Sequence, residues 1–318
     1  MRHFLEDFSM KLISLVIPCY NEESGVGLLY KTVLEVLCPL KDRAQLEFRF
    51  VDDGSHDGTL AAIKSLQAAD ERVHYCSFSR NFGKEAAMLA GMESAKGDYV
   101  VVMDADLQEP PELIPKMFDA LEDGEYDCVA ACRSQRDKKT FFMNAFAKMF
   151  YWLMTKMTDV ELKEGARDFR MMNRSYLRSV LALKEANRFS KGIFVWVGHR
   201  VKWMSFDYAE RQSGATKWSF WKLFKYALEG ITSFSTVPLT ASFGLGVATC
   251  LFAAVLSIKT IIKTLFFHEP VQGYTTLFVC LSFFSGLQFI MLGVMGLYIS
   301  KIYKEVKRRP PYIIQEEK

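Results

Sequence analysis

The sequence predicts an α/β fold: a Rossmann-like, mostly parallel sheet with helices on both faces, followed by interfacial helices and a C-terminal two-helix transmembrane hairpin. Three observations predict it. Up to about residue 230, short apolar runs alternate with charged amphipathic segments, the pattern of strands joined by crossover helices. Three of those runs end in carboxylates or amides, and an open α/β sheet gathers its ligands at the carboxyl ends of its strands. Farther on, Val237 to Ser257 and Tyr274 to Ser300 are almost free of charge, and each exceeds the roughly 20 residues that cross a bilayer core as a helix.

Taken in order, Leu12 to Ile17 forms a first strand and runs into Pro18-Cys19-Tyr20-Asn21-Glu22-Glu23 ahead of a helix at Val26 to Leu37. Phe48 to Val51 is the second strand, and Asp52-Asp53-Gly54-Ser55-His56-Asp57-Gly58-Thr59 follows it; Asp57 is expected to cap the helix from Thr59 to Ala68. A third strand at Val73 to Phe78 precedes a helix at Glu85 to Ala95. Tyr99 to Met103 is the fourth, ending at Asp104, and Glu112 to Leu121 returns the chain to a fifth at Tyr126 to Ala131, just before Arg133. The reading is a cytosolic domain over 1–215, a juxtamembrane amphipathic helix over 216–235, and a hairpin over 236–303 with spans of about 237–263 and 274–300. Residues 304–318 then read as a basic cytosolic tail.

Two aromatic-rich stretches join the domain to the bilayer. Lys217 to Phe234 interleaves Trp218, Phe220, Trp221, Phe224 and Tyr226 with Lys222 and Lys225, the composition of a helix in the headgroup region. Phe141 to Met157 reads either as a second such helix or as one buried on the sheet. Lys217, Lys222 and Lys225 precede the first span, and Lys301, Lys304, Lys307, Arg308 and Arg309 follow the second. Positive residues favour the cytoplasmic side, so the expectation is a multi-pass protein of the inner (cytoplasmic) membrane with domain and C-terminus both cytoplasmic. Met1 to Met10 lacks the apolar core and cleavage site of a secretory signal, which agrees.

Composition narrows the function. A net charge of +3 is too small for a nucleic-acid face. The seven cysteines are scattered and imply no disulfide framework, and Cys128 and Cys132 have no second pair to complete a zinc site. Gly25-Val26-Gly27 lacks the third glycine of a dinucleotide turn, so a nicotinamide cofactor is disfavoured. Small residues at Gly244, Gly246, Ala248, Gly293 and Gly296 permit close helix contact, and a homo-oligomer is expected.

The sharpest chemical signal is Asp104-Ala105-Asp106-Leu107-Gln108, two carboxylates and an amide oxygen directly after an apolar run. Hard divalent cations such as Mg²⁺ or Mn²⁺ take oxygen ligands, and Mg²⁺ is usually held by one or two protein carboxylates while substrate phosphates complete the shell. A nucleoside diphosphate is the natural partner. A solvated turn would show the same residues, and the carboxylates of the two upstream loops are what favour the site.

Six motifs in order carry a resemblance: Pro18 to Glu23, Asp52 to Ser55, Ser79-Arg80-Asn81-Phe82-Gly83-Lys84-Glu85, Asp104 to Pro111, Arg167-Asp168-Phe169-Arg170, and Arg211-Gln212-Ser213-Gly214-Ala215-Thr216-Lys217-Trp218. Together they resemble family 2 glycosyltransferases over almost the whole chain. More narrowly, the chain is similar to polyprenyl-phosphate glycosyltransferases, relatives of dolichol-phosphate mannose synthase and of bactoprenol glucosyltransferases. The resemblance implies a GT-A fold, a nucleotide-sugar donor, a divalent metal, a polyprenyl phosphate acceptor such as undecaprenyl phosphate, and inversion at the anomeric carbon. UDP-glucose is the favoured donor; mannose from GDP-mannose, N-acetylglucosamine and galactose stay open. By the same resemblance Pro18, Tyr20, Glu22 and Asp53 hold the nucleoside with Asp52 beside them, Asn81 belongs with them, and Asp104, Asp106 and Gln108 surround the metal. Arg211 and Lys217 bind the donor diphosphate or the acceptor phosphate, with Thr216 replacing the usual Ser of that motif.

Lys84 and Arg133 are further candidates for a clamp on the leaving diphosphate, where cations stabilise developing charge. Asp168, placed by the sequence in a loop between two helical segments, is the candidate in-line base. A phosphate acceptor is already anionic near neutral pH, its second pKa being about 6, so orienting the acceptor or an arginine is an equally open role. Two other functions are open to such a chain. A processive polysaccharide synthase would need a Gln-X-X-Arg-Trp motif and more spans, which this sequence lacks; a non-catalytic scaffold or flippase subunit would be favoured by loss of the acidic motifs, which are intact.

Overall fold

The computed structural model of the chain describes residues 10–133, 163, 165–206, 232, 235–267 and 273–318. Its eight strands form one sheet in the order β7-β5-β6-β4-β1-β2-β3-β8. The central strand β1 (Lys11–Cys19) runs parallel to β2 (Ala44–Asp52) and β4 (Tyr99–Val102), and β2 runs parallel to β3 (Val73–Phe78). The chain therefore builds outward from β1 to β3 and then crosses to β4 on the other side. That reversal opens a crevice at the carboxyl ends of β1 and β4.

Side-chain alternation along β1 feeds two cores, as a period of two requires. Ile13, Leu15 and Ile17 pack against α1 (Glu23–Leu37) through Val26, Leu29 and Val33, and against α4 (Leu113–Glu122) through Ile114, Met117 and Phe118. Val16, on the opposite face, packs with Met88 and Met92 of α3 (Lys84–Ser94) and with Tyr176, Leu177 and Val180 of α5 (Arg174–Ala182). On α3, Ala86 to Met92 are all buried. A Cβ on Gly91 would stand 2.2 Å from Val16 Cγ1, so glycine there lets α3 lie directly on β1.

The antiparallel strands depart from the sequence reading. β5 (Cys128–Arg133) and β7 (Val201–Phe206) are parallel to each other, but β6 (Ala166–Asn173) inserts antiparallel between β4 and β5. Arg167-Asp168-Phe169-Arg170 thus belongs to a strand, not to a loop between helical segments. Its polar residues hid it: Phe169 and Met171 enter one core, while Arg170, only 2% exposed, is buried beside Met172 on the other. Buried on both faces and carrying a charge, the segment shows neither clean alternation nor a continuous apolar run.

The last residues also return to the sheet. β8 (Ile314–Glu317) pairs antiparallel with β3, so the segment read as a basic tail ends as an edge strand. Tyr312 stacks on Phe78 with ring centroids 4.9 Å apart, and Lys64 meets Glu316 at 2.7 Å.

Between the domain and β8 lie α7 (Val237–Phe267) and α8 (Tyr274–Lys307), both long and apolar enough to cross a membrane. At 1.5 Å per residue each exceeds the roughly 30 Å hydrocarbon core. Among the described residues none of their apolar side chains is buried, with Phe243 76% and Leu281 64% exposed, which is the opposite of helices in a soluble core. The expected interfacial helices at 141–157 and 217–234 lie almost wholly outside the described residues.

Candidate active site

Three strand-end loops meet over the β1–β4 crevice, and backbone hydrogen bonds lock the first two together. Asn21, in the left-handed region at φ 55°, donates its N–H to Ser55 Oγ at 3.0 Å and accepts from the His56 N–H on its Oδ1 at 3.0 Å. The Glu22 N–H donates to Thr59 Oγ1 at 2.8 Å. Asp57 accepts from the Thr59 N–H at 3.0 Å and from the Glu23 N–H at 3.3 Å, but the N-cap of α2 (Thr59–Ala69) is Gly58 and not Asp57, which instead braces the turn ahead of the helix. Gly54 has φ +66° and lies under Arg80, whose backbone would stand within 2.5 Å of a Cβ, so only glycine lets the third loop close over the second.

The paired aspartates at the end of β2 have different duties. Asp52, 1% exposed, accepts from the Ser55 N–H at 3.2 Å and from Ser77 Oγ at 2.7 Å, and it does not line the crevice. Asp53 does line it, and accepts from the Phe82 N–H at 2.7 Å and the Gly83 N–H at 2.9 Å. Burial raises the Asp53 carboxyl above its ordinary range despite those two donors. A carboxylate offers about four lone-pair sites, so acceptor capacity is left for a base N–H or a ribose hydroxyl.

The crevice holds a cavity of about 350 Å³. Of the residues read as nucleotide-binding, Pro18, Tyr20, Glu22, Asp53 and Asn81 line it, as do Lys84, Asp104 and Asp106. Arg133 ends β5, its N–H bonded to the Gly165 carbonyl at 3.0 Å, and is not part of that lining. Arg211 and Lys217 lie outside the described residues.

The charged centre is Lys84, the first residue of α3. Its ammonium contacts Asp104 Oδ1 at 2.6 Å and Asp168 Oδ2 at 2.6 Å. The sheet dictates this meeting. Val102 of β4 pairs with Arg170 of β6, and continuing that register two residues past the pair brings Asp168 opposite Asp104. Burial pushes the Asp168 carboxyl up, but Lys84, Lys191 and Arg170 outweigh it and hold the group at about 2. For Lys84 burial acts downward, and Asp168 and Asp104 more than reverse it, so the ammonium stays charged. Asp104 is raised, chiefly by burial.

Asp104, Asp106 and Gln108 occupy one tight turn, with the Gln108 N–H donating to Asp106 Oδ1 at 3.2 Å and Leu107 in the left-handed region at φ 53°. A non-glycine residue held there is uncommon and concentrates at functional turns. Two carboxylates and an amide oxygen suit a hard divalent ion whose remaining ligands come from phosphate, and too few protein ligands are present for a closed structural site. Among the described residues no cluster of three His, Cys, Asp or Glu side chains offers a self-sufficient metal cage.

Two features escaped the sequence reading. Glu109, 4% exposed, has an Oε2 without a hydrogen-bond partner among the described residues, and burial followed by Asp104 pushes its carboxyl up to about 8. Its position directly after Gln108 was the one signal that could have found it. Glu85, next to Lys84, accepts from the Ser190 N–H at 3.1 Å and from the Ser190 hydroxyl, which ties α6 (Ser190–Trp196) to the site. No spacing rule announces a contact over that sequence distance.

The model of the family described as glycosyl transferase family 2 matches residues 14–181, more than half of the chain. A bactoprenol glucosyl transferase of Shigella phage SfV is 42% identical, over 96% of this chain and 99% of the relative. A putative glycosyltransferase, CsbB, of Bacillus subtilis is 41% identical, over 96% of this chain and 92% of its own. Among solved structures, glucosyl-3-phosphoglycerate synthase from Mycobacterium tuberculosis, in complex with Mn²⁺ and UDP-glucose, is 19% identical with a TM-score of 0.43, over 70% of this chain and 77% of that one.

Proposed function

The chain belongs to glycosyl transferase family 2, its sheet has the GT-A arrangement, and from that premise we propose that it transfers glucose from UDP-glucose to a polyprenyl phosphate at the cytoplasmic face of the membrane. The observation that carries the proposal is the convergence of Lys84, Asp104 and Asp168 beside a nucleotide-sized cavity, on a domain continuous with two exposed apolar helices. The sugar and the lipid come from the relatives whose names specify bactoprenol and glucosyl transfer.

In the reaction a phosphate oxygen of the acceptor attacks the anomeric carbon from the face opposite the nucleotide. The bond from that carbon to the diphosphate breaks, and the nucleoside diphosphate leaves with the electron pair, which inverts the centre. Pro18, Tyr20 and Asp53 orient the nucleoside, and Lys84 lies where the diphosphate charge develops. A bound Mg²⁺ or Mn²⁺, held by Asp104, Asp106 and Gln108, would neutralise further charge on the leaving group. Asp168 is a poor proton acceptor at about 2, and the acceptor phosphate needs none, which supports an orienting and electrostatic role over that of a base.

The membrane reading has support beyond hydropathy. β8 comes after α8 and pairs with β3, so if both helices cross the bilayer, the domain and the C-terminus are on one side. Lys301, Lys304, Lys307, Arg308 and Arg309 support the cytoplasm as that side by the positive-inside rule.

The test is transfer of radiolabelled sugar from UDP-glucose and from GDP-mannose, in parallel, to undecaprenyl phosphate, with Mg²⁺ or Mn²⁺ against chelator, using the wild type and Asp106→Ala. Metal-dependent label in the lipid phase from UDP-glucose, lost in the variant, is the expected result. Label from GDP-mannose alone would replace the donor; no lipid label from a wider donor panel would favour the non-catalytic reading.

A further inference from the structure

The start of α3 carries Lys84, yet its N-cap makes no side-chain hydrogen bond. Gly83, in front of it, lies at φ +100°, a region that glycine enters freely and that no side chain stiffens. The first N–H groups of a helix have no intrahelical partner, and helix ends fray. Lys84 holds its ammonium on a flexible four-carbon stem, so its place between Asp104 and Asp168 depends on how the first turn of α3 is fastened.

Two fastenings flank the lysine. Before it, Asp53 accepts from the Phe82 N–H at 2.7 Å and the Gly83 N–H at 2.9 Å. After it, Glu85 accepts from the Ser190 N–H at 3.1 Å and from the Ser190 hydroxyl. Ser190 is fully buried at the start of α6, and Phe194 of that helix packs under the guanidinium of Arg170, 3.6 Å from its ring centroid.

The second fastening continues beyond α6. Residues 183–189 lead into Ser190, and Arg188 closes this loop on the end of α5 by donating to the carbonyls of Leu183 and Val180. The loop is also pinned by the hairpin: the Ala186 N–H donates to Glu305 Oε1 at 2.8 Å, in the last turn of α8. A short line of contacts therefore runs from α8 to the residue beside Lys84.

We propose that Glu85 and Glu305 are positioning residues for Lys84, so that the hairpin, docked through Glu305, is part of the support of the catalytic centre. The proposal rests on the transferase reading above. It accounts for a carboxylate that lines no part of the donor cavity yet is clasped twice beside the central lysine. It also ties the geometry of the centre to the element that would stand in the bilayer with the lipid acceptor. Coupling of this kind is read from a double-mutant cycle.

The experiment uses the full-length protein in detergent and measures kcat and donor KM with UDP-glucose, or whichever donor proves active, and undecaprenyl phosphate. Glu85→Ala is expected to lower kcat at least about tenfold and Glu305→Ala at least about threefold, each with donor KM changed less than about twofold, since a displaced Lys84 fails chiefly where charge develops. Glu85→Gln and Glu305→Gln keep an acceptor oxygen and should recover most of the loss. In a Lys84→Met background each alanine variant should cost less than about twofold more, because the lysine through which it acts is gone. Where Lys84→Met is too slow to measure, the same cycle is read on the Kd for UDP, which the alanine variants should raise only when Lys84 is present. Ser190→Ala takes the place of Glu85→Ala if that variant does not fold, folding being judged by Tm. Full additional losses in the Lys84→Met background, no recovery with glutamine, or an unchanged kcat in the alanine variants would overturn the assignment. If the wild type transfers no sugar to the lipid from any donor, the transferase reading itself fails and this assignment falls with it, an outcome distinct from an active wild type with unaffected variants.

Discussion

At the scale of single residues, Lys84 decides the electrostatics of the centre. It joins Asp104 and Asp168, two carboxylates that would otherwise repel, and it does so at 2.6 Å to each. Asp168 is held at about 2 in the folded protein, below its ordinary value of about 3.9. The sign comes from linkage: a depressed carboxyl pKa stabilises the folded state fully above the unfolded value and loses that contribution as pH falls through the folded one. Asp168 should therefore contribute no ionisation to kcat/KM between pH 5 and 8 in the wild type. In Lys84→Met, burial would act on Asp168 and Asp104 with less opposition, and an acid limb should move up toward neutrality in the pH–rate profile, alongside a fall in kcat of at least about tenfold. An unchanged profile in that variant would place the cation that controls Asp168 elsewhere. Asp52 shows how similar residues part company. It neighbours Asp53 in sequence, yet it accepts from Ser55 and Ser77 beneath the crevice, and its substitution is expected to act on the loop rather than on donor contacts.

At the scale of elements, α3 and β6 carry the site. Helix α3 holds Lys84 at its first turn and is seated by Gly91 against Val16 of β1. Gly91→Ala should overpack this contact and cost about 1–3 kcal/mol, read by thermal or denaturant unfolding, and Val16→Ala in the same chain should return part of it. Stability unaffected by Gly91→Ala would mean the helix can lift off the sheet freely. Strand β6 was the element least legible in the sequence. The strands β1 to β5 announce themselves as apolar runs because both their faces are buried, and the helices between them as periodic segments because each turns one face to a core. β6 instead buries Arg170 beside Phe194 and sets Asp168 at its open end, so propensity reads it as a loop. Tertiary context overrode that preference: a gap between β4 and β5 needed an antiparallel partner.

At the scale of the whole molecule, the C-terminus closes onto the domain after both long helices. Tyr312 stacks on Phe78 and donates its hydroxyl to Glu93, while Tyr75 donates to Glu316 at 2.6 Å. Glu305, near the end of α8, also accepts from the Ala186 N–H at 2.8 Å. The hairpin is thus tied to the domain on its C-terminal side as well as through the chain that enters α7. Tyr312→Ala should lower stability by about 1–2 kcal/mol, a fall of about 2–8 °C in Tm. A Tm unchanged within a degree would show the strand to be dispensable. The sequence by itself determined the domain class, the two long apolar helices, and the loops carrying Pro18 to Glu22, Asp53, Asn81 and Asp104 to Gln108, because each of those signals is local: a period, a run length, or polar residues directly after a strand. The tertiary structure alone decided that Asp168 faces Asp104 across antiparallel strands, that Lys84 joins them, that α6 reaches Glu85, and that the final residues pair with β3. Those are contacts between segments far apart in the chain. They depend on strand order and register, and no local pattern encodes which distant partner a strand end or a charge will meet.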